Sequence, residues 1–402
     1  MPASASGTSV PLLDVRRQNA RLRTEIGAAI DRVWESSAFI HGPACEEFEA
    51  SIADYCGTRH AIGCASGSDA LLLALMAVEV GPGDEVLLPS FTFFATAGAV
   101  WRVGAKPVFV DIDPLTFNLD PEDAARKITT ATKAIIPVHL FGQCADMAAL
   151  LPLAEQHGLA VIEDAAQAIG ATYEGRRAGS LGHLGCFSFY PTKNLGGFGD
   201  GGMITTDDAA LDKRLRVLRD HGQQPRYHHA SVGINSRLDT LQAAVLNVKL
   251  TRLEQWAAIR RKNADRYAKL FDAAGLAEHV ALPAVSRHCD SVWNQYTIRI
   301  LSSDRDRAQA FLTSQAIGSA IYYPVPLHLQ TCFASLGYAP GSLPETERAC
   351  REVLSLPIYP ELDTNEQSSV VAALAEFFAR ESAGGTLHAR QRAHEAAVRL
   401  AS

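Results

Sequence analysis

A chain of 402 residues is too long for one ordinary small domain, and length alone predicts two or three. With 47% hydrophobic and 20% charged residues it has the composition of a soluble globular protein with a sizeable core. The formal net charge of −7 gives no long-range attraction to nucleic acid or a membrane surface, so an anionic ligand has to be held by local cations.

The first residues, MPASASGTSVP, lack the charged start and apolar core of a signal peptide. The longest apolar run, 70–78, is about half of what spans a bilayer. A cytoplasmic protein without membrane partners is expected. The eight cysteines (45, 56, 64, 144, 186, 289, 332 and 350) show no C-x-x-C and no clustering with histidine. They read as small hydrophobes of a reducing compartment, with neither a disulfide framework nor a metal site.

Apolar positions Leu22, Ile26, Ile30 and Val33 predict an amphipathic entry helix over 14–36. A Gly42-Pro43 turn leads into a second helix over 44–55. Short Val/Ile/Leu runs then predict strands at 60–64, 85–89, 107–111, 133–138, 160–163, 186–189 and 203–205. Continuous runs of this kind mark strands buried on both faces of a mostly parallel sheet. Helical stretches such as 68–78 and 145–157 complete βαβ units. A long helical pattern over 240–273, with Leu241, Val245, Val248 and Leu253 on one face, leads into a smaller domain. That domain reads as a strand at 292–300, a helix at 305–317, a short strand at 320–323 and helices near 343–354 and 366–378. The expected division is a large domain over 1–255, a small one over 256–380, and a polar tail over 381–402 with no assigned function.

Chemistry concentrates in CFSFYPTKNLGGFGDGGMITTD, 186–207, where five glycines follow Lys193 within residues 196–202. Lys193 is either a surface ammonium in a flexible loop or an amine held to form a Schiff base with a carbonyl cofactor. A phosphate loop is excluded, because its lysine follows the glycines and precedes Ser or Thr. Upstream, LAVIEDAAQAIGA ends an apolar run in Glu163 and Asp164, which puts Asp164 at the carboxyl end of a strand. Pyridoxal phosphate requires such a pair, a lysine for its carbonyl and a carboxylate for its ring nitrogen. Ser66-Gly67-Ser68-Asp69 joins a strand to a helix and is either a plain N-cap or an anion site at a helix N-terminus.

CASGSDALLLAL, PSFTFFAT, EDAAQAIGA, FYPTKNLGGFGDGG and GINSRLDTLQAA occur in this order over roughly 12–379. They resemble the DegT/DnrJ/EryC1/StrS family of pyridoxal-phosphate-dependent nucleotide-sugar aminotransferases. The resemblance implies an α/β fold of type I, a large domain with a mostly parallel seven-stranded sheet and a smaller C-terminal α+β domain. It puts Gly67, Ser68 and Ser188 on the cofactor phosphate, Phe93 against the ring and Gln167 at its phenolic oxygen. It also implies a homodimer with shared sites, in which Asn235 reaches the partner's phosphate. Arg226, in HGQQPRYHH, is expected near a nucleotide diphosphate. Tyr323 and His328, in the proline-stiffened YYPVPLHLQ, are expected on the pocket wall with the histidine beside the sugar. Phe91 and Phe94 are expected in the core, and His139 and Glu163 stay outside the site.

The implied reaction is a two-half transamination from glutamate to a keto-sugar carried on a nucleotide diphosphate. Lys193 moves the proton and Asp164 stabilises the carbanion through the ring. SRLD after Asn235 resembles members that aminate position 3; amination at position 4 is the alternative. Members with histidine in place of the lysine deoxygenate sugars, which Lys193 argues against. A non-catalytic regulatory or binding protein is the remaining alternative, and the intact cofactor set argues against it.

Overall fold

Seven Val/Ile/Leu runs form one sheet: β1 (His60–Cys64), β2 (Glu85–Pro89), β3 (Lys106–Val110), β4 (Thr132–Ile135), β5 (Ala160–Asp164), β6 (Leu184–Ser188) and β7 (Gly202–Thr206). This computed structural model describes residues 9–302 and 304–381. The spatial order is β1-β7-β6-β5-β4-β2-β3. All neighbours are parallel except β7, which runs antiparallel to both β1 and β6. Strand ends fall within one or two residues of those read from the sequence, except that β4 stops at Ile135.

Alternate residues of a strand enter opposite cores, which is why these strands read as unbroken apolar runs. Leu87 and Val161 pack on one face with Phe48 and Ile52 of the helix Pro43–Cys56. Val86, Leu88 and Ile162 pack on the other with Leu71, Leu73 and Leu75 of the helix Gly67–Ala77. Each fully buried Leu or Ile contributes roughly 1.5–3 kcal/mol. The consequence for function is geometric. The carboxyl ends of the parallel strands and the amino end of the reversed β7 lie along one edge of the sheet.

Differences from the sequence reading have local causes. The entry helix breaks at Leu22 into Val15–Arg21 and Arg23–Ser36. The pattern over 240–273 is two helices, Thr240–Leu250 and Leu253–Ala273. At that break the Thr251 hydroxyl donates to Val248 O and Arg252 pairs with Glu25 at 3.1 Å. The strand expected from 292 begins only at Tyr296. Trp293 is left-handed there (φ 51°), and the N–H groups of Val292 and Asn294 are spent on the carbonyls of Gly142 and Phe141. The segment 320–323 makes only a bridge from Ala320 to Ser355. The helix near 343–354 is Pro344–Glu352, running directly into the strand Val353–Leu356. A last helix covers 364–381, and the rest of the tail lies outside the described residues.

A second core gathers Tyr267, Tyr296, Ile298, Leu354 and Tyr359 around a small antiparallel sheet. The beginning of the chain joins it, although the sequence reading grouped that segment with the large domain. Val10 bridges to Ile317 in parallel, and Arg17 pairs with Glu366 at 2.8 Å. The helix Arg23–Ser36 then packs on Thr240–Leu250 through Leu22, Ile26 and Val245. Among the described residues no helix is long and apolar enough to cross a membrane.

Candidate active site

Along that sheet edge lies a cavity of about 680 Å³. Its walls come from the turn after β1 (Ser66, Gly67, Ser68), the turn after β2 (Phe93), the end of β5 (Asp164, Gln167), and the end of β6 with its loop (Ser188, Lys193). Tyr322 and Tyr323 close it from the small domain. The structure brings eight of the eleven residues singled out in the sequence onto this one surface.

Lys193 follows β6, its N–H donating to Tyr190 O at 2.8 Å. The glycines after it let the chain fold tightly back. A Cβ on Gly196 would stand 2.3 Å from Pro191 O, and the Gly196 carbonyl accepts from the buried Lys249 ammonium. Asn194 ties this loop to Val292 and Asn294 of the small domain. Lys193 keeps partial exposure to the cavity. Burial pushes its ammonium pKa down to about 8, with the Asp164 charge pulling the other way.

Asp164 is nearly fully buried. One oxygen, Oδ2, accepts from the Thr96 hydroxyl at 2.8 Å, and among the described residues Oδ1 accepts only from Ala166 N–H at 3.3 Å. Burial raises its pKa, and these two donors followed by the Lys193 and His139 charges oppose the rise. Gln167 is oriented by its own bonds. Its Oε1 accepts from Phe141 N–H at 2.7 Å, so the NH2 end faces Tyr323 (3.4 Å) and the cavity.

At the other end, Ser66 caps the helix Gly67–Ala77 by accepting from Asp69 N–H at 3.1 Å. The first N–H groups of a helix have no partner within it and attract anions. A Cβ on Gly67 would lie 2.5 Å from the Ser188 Cβ, so only glycine lets this turn sit against β6. Phe93 is 58% exposed, its ring 6.3 Å from that of Tyr323.

Three residues lie elsewhere. His328 was expected beside a sugar but is sealed in the protein: its Nδ1 meets Ser90 Oγ at 2.8 Å and its Nε2 faces Glu347 at 3.3 Å. Ser90 also accepts the His328 N–H, so the histidine locks the 327–329 turn onto the end of β2. Arg226 is exposed, its guanidinium over the Tyr227 ring at 4.9 Å. Asn235 is exposed and bridges by backbone to Asp220. Neither lines this chain's cavity. Phe94 also departs from expectation, being 45% exposed and stacked on Phe333.

His139 and Glu163 form a buried pair at 2.8 Å, with Glu163 also accepting three N–H groups of residues 179–182. Every strong bonding position of the pair is taken, which makes it a brace for the end of β5. Thr96, Tyr190, Thr192, Asp200 and Gln295 belong to the site and were not singled out in the sequence. Tyr190, Thr192 and Asp200 lie inside FYPTKNLGGFGDGG. Thr96 could have been found from its place one helical turn after Thr92.

A model of the DegT/DnrJ/EryC1/StrS aminotransferase family matches residues 20–375. The chain belongs to that family. Among its relatives, a "Pleiotropic regulatory protein" of Geobacillus stearothermophilus is 53% identical, covering 92% of this chain and 99% of the relative. A UDP-2-acetamido-2-deoxy-3-oxo-D-glucuronate aminotransferase of Pseudomonas aeruginosa is 45% identical, covering 91% and 99%. The crystal structure of S. venezuelae DesV in complex with a ketimine intermediate superposes with a TM-score of 0.88 at 45% identity, covering 92% and 98%. The protein is accordingly an aminotransferase with a fold-type I architecture, and its cofactor is pyridoxal 5′-phosphate. The residues present fit that group. They include a half-buried amine of lowered pKa, a buried carboxylate with one under-used oxygen, and bare N–H groups at a helix start.

Proposed function

We propose that this aminotransferase transfers an amino group from glutamate to position 3 of a keto-sugar carried on a nucleoside diphosphate, in the cytoplasm. The observation that carries the reading is the meeting of Lys193 and Asp164 on the walls of one cavity. The sugar and its position are supported by the name of the Pseudomonas relative, an aminotransferase of a 3-oxo sugar nucleotide.

Bound here, the cofactor supplies a carbonyl that takes up amines and a ring that accepts the electron pair left when a C–H proton departs. The chain does the rest. The N–H groups at Gly67 and Ser68, with the Ser188 hydroxyl, would hold the phosphate. Phe93 would press on the ring face, and the Gln167 NH2 would donate to the phenolic oxygen. Asp164 would face the ring nitrogen and favour its protonated state. Lys193, on the wall of the same cavity, would take at Nζ the proton that leaves the donor's C–H and would deliver one to the acceptor's keto carbon in the second half. With a pKa near 8 the same nitrogen serves as base and then acid.

The working unit we infer is a homodimer in which Asn235 of each chain reaches the other's phosphate and Arg226 approaches the nucleotide. In support, Asn235 is exposed, and the neighbouring segments 39–40, 198 and 239–242, joined by hydrogen bonds, expose Phe39, Ile40, Phe198 and Leu241. A cluster of exposed apolar side chains is what an interface between two chains would cover. A regulatory reading is favoured by the name of the Geobacillus relative, and the complete cofactor constellation counts against it.

The deciding experiment offers 15N-glutamate with a panel of 3-keto and 4-keto sugar nucleotides. Label should appear on carbon 3 of the product. Label on carbon 4 would move the position, and no transfer to any sugar would sink the substrate class.

A further inference from the structure

Thr96 touches the carboxylate on which the proposed chemistry depends, and nothing in that chemistry yet uses it. It is the third residue of the helix Phe94–Arg102, entirely buried, with Thr92 almost as buried one turn before it. Its Oγ1 lies 2.8 Å from Asp164 Oδ2, 3.2 Å from Phe93 O and 3.2 Å from Thr92 Oγ1. A hydroxyl has one proton to give. The nearest and only charged acceptor is Asp164, and bonds to ionised acceptors are the strong ones. The Thr92 hydroxyl then donates to Thr96 Oγ1, and the two form a polarised chain directed at the carboxylate.

Two consequences follow for Asp164. With Oδ2 bound to Thr96, the carboxylate cannot rotate freely, and Oδ1, whose one hydrogen bond among the described residues is the long one from Ala166 N–H, is left free to bond a group in the cavity that Asp164 lines. A donated bond also stabilises the anion, which makes it a weaker base. Burial works in the opposite direction, and a carboxylate made more basic would draw the shared proton off the ring nitrogen. We propose that Thr96, backed by Thr92, is a positioning residue that fixes the Asp164 carboxylate and makes it less basic than it would be without the bond, so that the proton between them stays on the cofactor ring. This rests on the reading that Asp164 faces the ring nitrogen.

The test uses full-length holoenzyme loaded with pyridoxal phosphate carrying 15N in the ring. Wild type, Thr96→Val, Thr96→Ser, Thr92→Val and Asp164→Asn are compared by 15N chemical shift between pH 6 and 9, by cofactor dissociation constant, and by rate of the donor half-reaction. Loss of one hydrogen bond to a charged group is worth about a tenfold to hundredfold change in the proton's distribution. Thr96→Val should therefore move the ring signal from the protonated toward the unprotonated position. Its half-reaction should slow at least about tenfold while the donor KM stays within about threefold. Thr96→Ser, which keeps the hydroxyl, should restore the wild-type signal, and Thr92→Val should move it the same way by less. An unmoved signal in Thr96→Val, with only a lowered Tm, would overturn the proposal. If Thr96→Val yields no folded holoenzyme, Thr92→Val decides: a moved signal supports the chain of hydroxyls, and an unmoved one overturns it. Asp164→Asn separates the two layers. A wild-type signal there overturns the reading of Asp164 itself, while a moved signal there with none in Thr96→Val overturns Thr96 alone.

Discussion

At the residue scale the informative quantity is the environment of Lys193. Its amine is held near pKa 8 rather than 10.5 because burial disfavours the charge more than Asp164 favours it. The neutral amine is the nucleophile, so capture of pyridoxal phosphate by cofactor-free protein should rise with pH around a midpoint near 8. Asp164→Asn removes the opposing pull and should move that midpoint lower; a midpoint near 10 in wild type would contradict the buried amine. Borohydride should then leave the cofactor on the peptide containing Lys193. His328 yields an expectation of the opposite kind. Burial lowers its pKa below 6.5. As pH falls through 6.5 the unfolded chain binds a proton that the folded one refuses, so this residue's contribution to stability declines in acid. His328→Ala should cost about 1–3 kcal/mol by leaving the proton of the buried Ser90 hydroxyl without its ring partner, measured by denaturation, while the sugar KM changes less than about threefold. A large rise in KM without loss of stability would return the histidine to the pocket.

At the scale of elements, the sheet was legible because strands buried on both faces leave unbroken apolar runs, and each of the seven sits within a few residues of where Val, Ile and Leu put it. The cofactor motifs were legible because each lies at a strand end, where local sequence dictates the turn. What could not be read depends on partners distant in sequence. Nothing local to 292–295 says that its N–H groups go to residues 141–142, and nothing in YYPVPLHLQ says that Ser90 takes the histidine. Phe94 looked like core because its neighbours are aromatic, yet its place at the start of a helix turns it outward onto Phe333. The turn before the helix Gly67–Ala77 gives a test at this scale. Gly67→Ala puts a methyl 2.5 Å from the Ser188 Cβ. Overpacking of this kind costs roughly 1–3 kcal/mol, and the phosphate site should absorb it. The cofactor dissociation constant is expected to rise about tenfold or more with little change in the far-UV spectrum. Unchanged affinity would show that the phosphate is held elsewhere.

At the scale of the whole molecule, Asn235 and Arg226 were readable only as a family pattern, since one chain's own cavity involves neither. Sharing between chains can be tested directly. Lys193→Ala and Asn235→Ala homodimers should each be nearly inactive. Mixed under conditions that exchange subunits, they should recover about a quarter of the wild-type rate, because about half the dimers are mixed and each has one intact site of two. No recovery, with exchange verified by mass, would assign both residues to the same chain's site.

The crossing of the chain's first segment has a mechanical meaning. Residues around Val10 are stitched to Ile317 on the small domain, while the helix Arg23–Ser36 lies on the large one. The helix Leu253–Ala273 makes a second crossing, with Leu253 and Ala257 in the core of the large sheet and Ala264 and Tyr267 in the second core. A body hung from one point swings in any direction, whereas one hung from two turns only about the line that joins them. Two crossings, together with the bonds from Asn194 to Val292 and Asn294, hold the small domain against the large one more firmly than a single linker would.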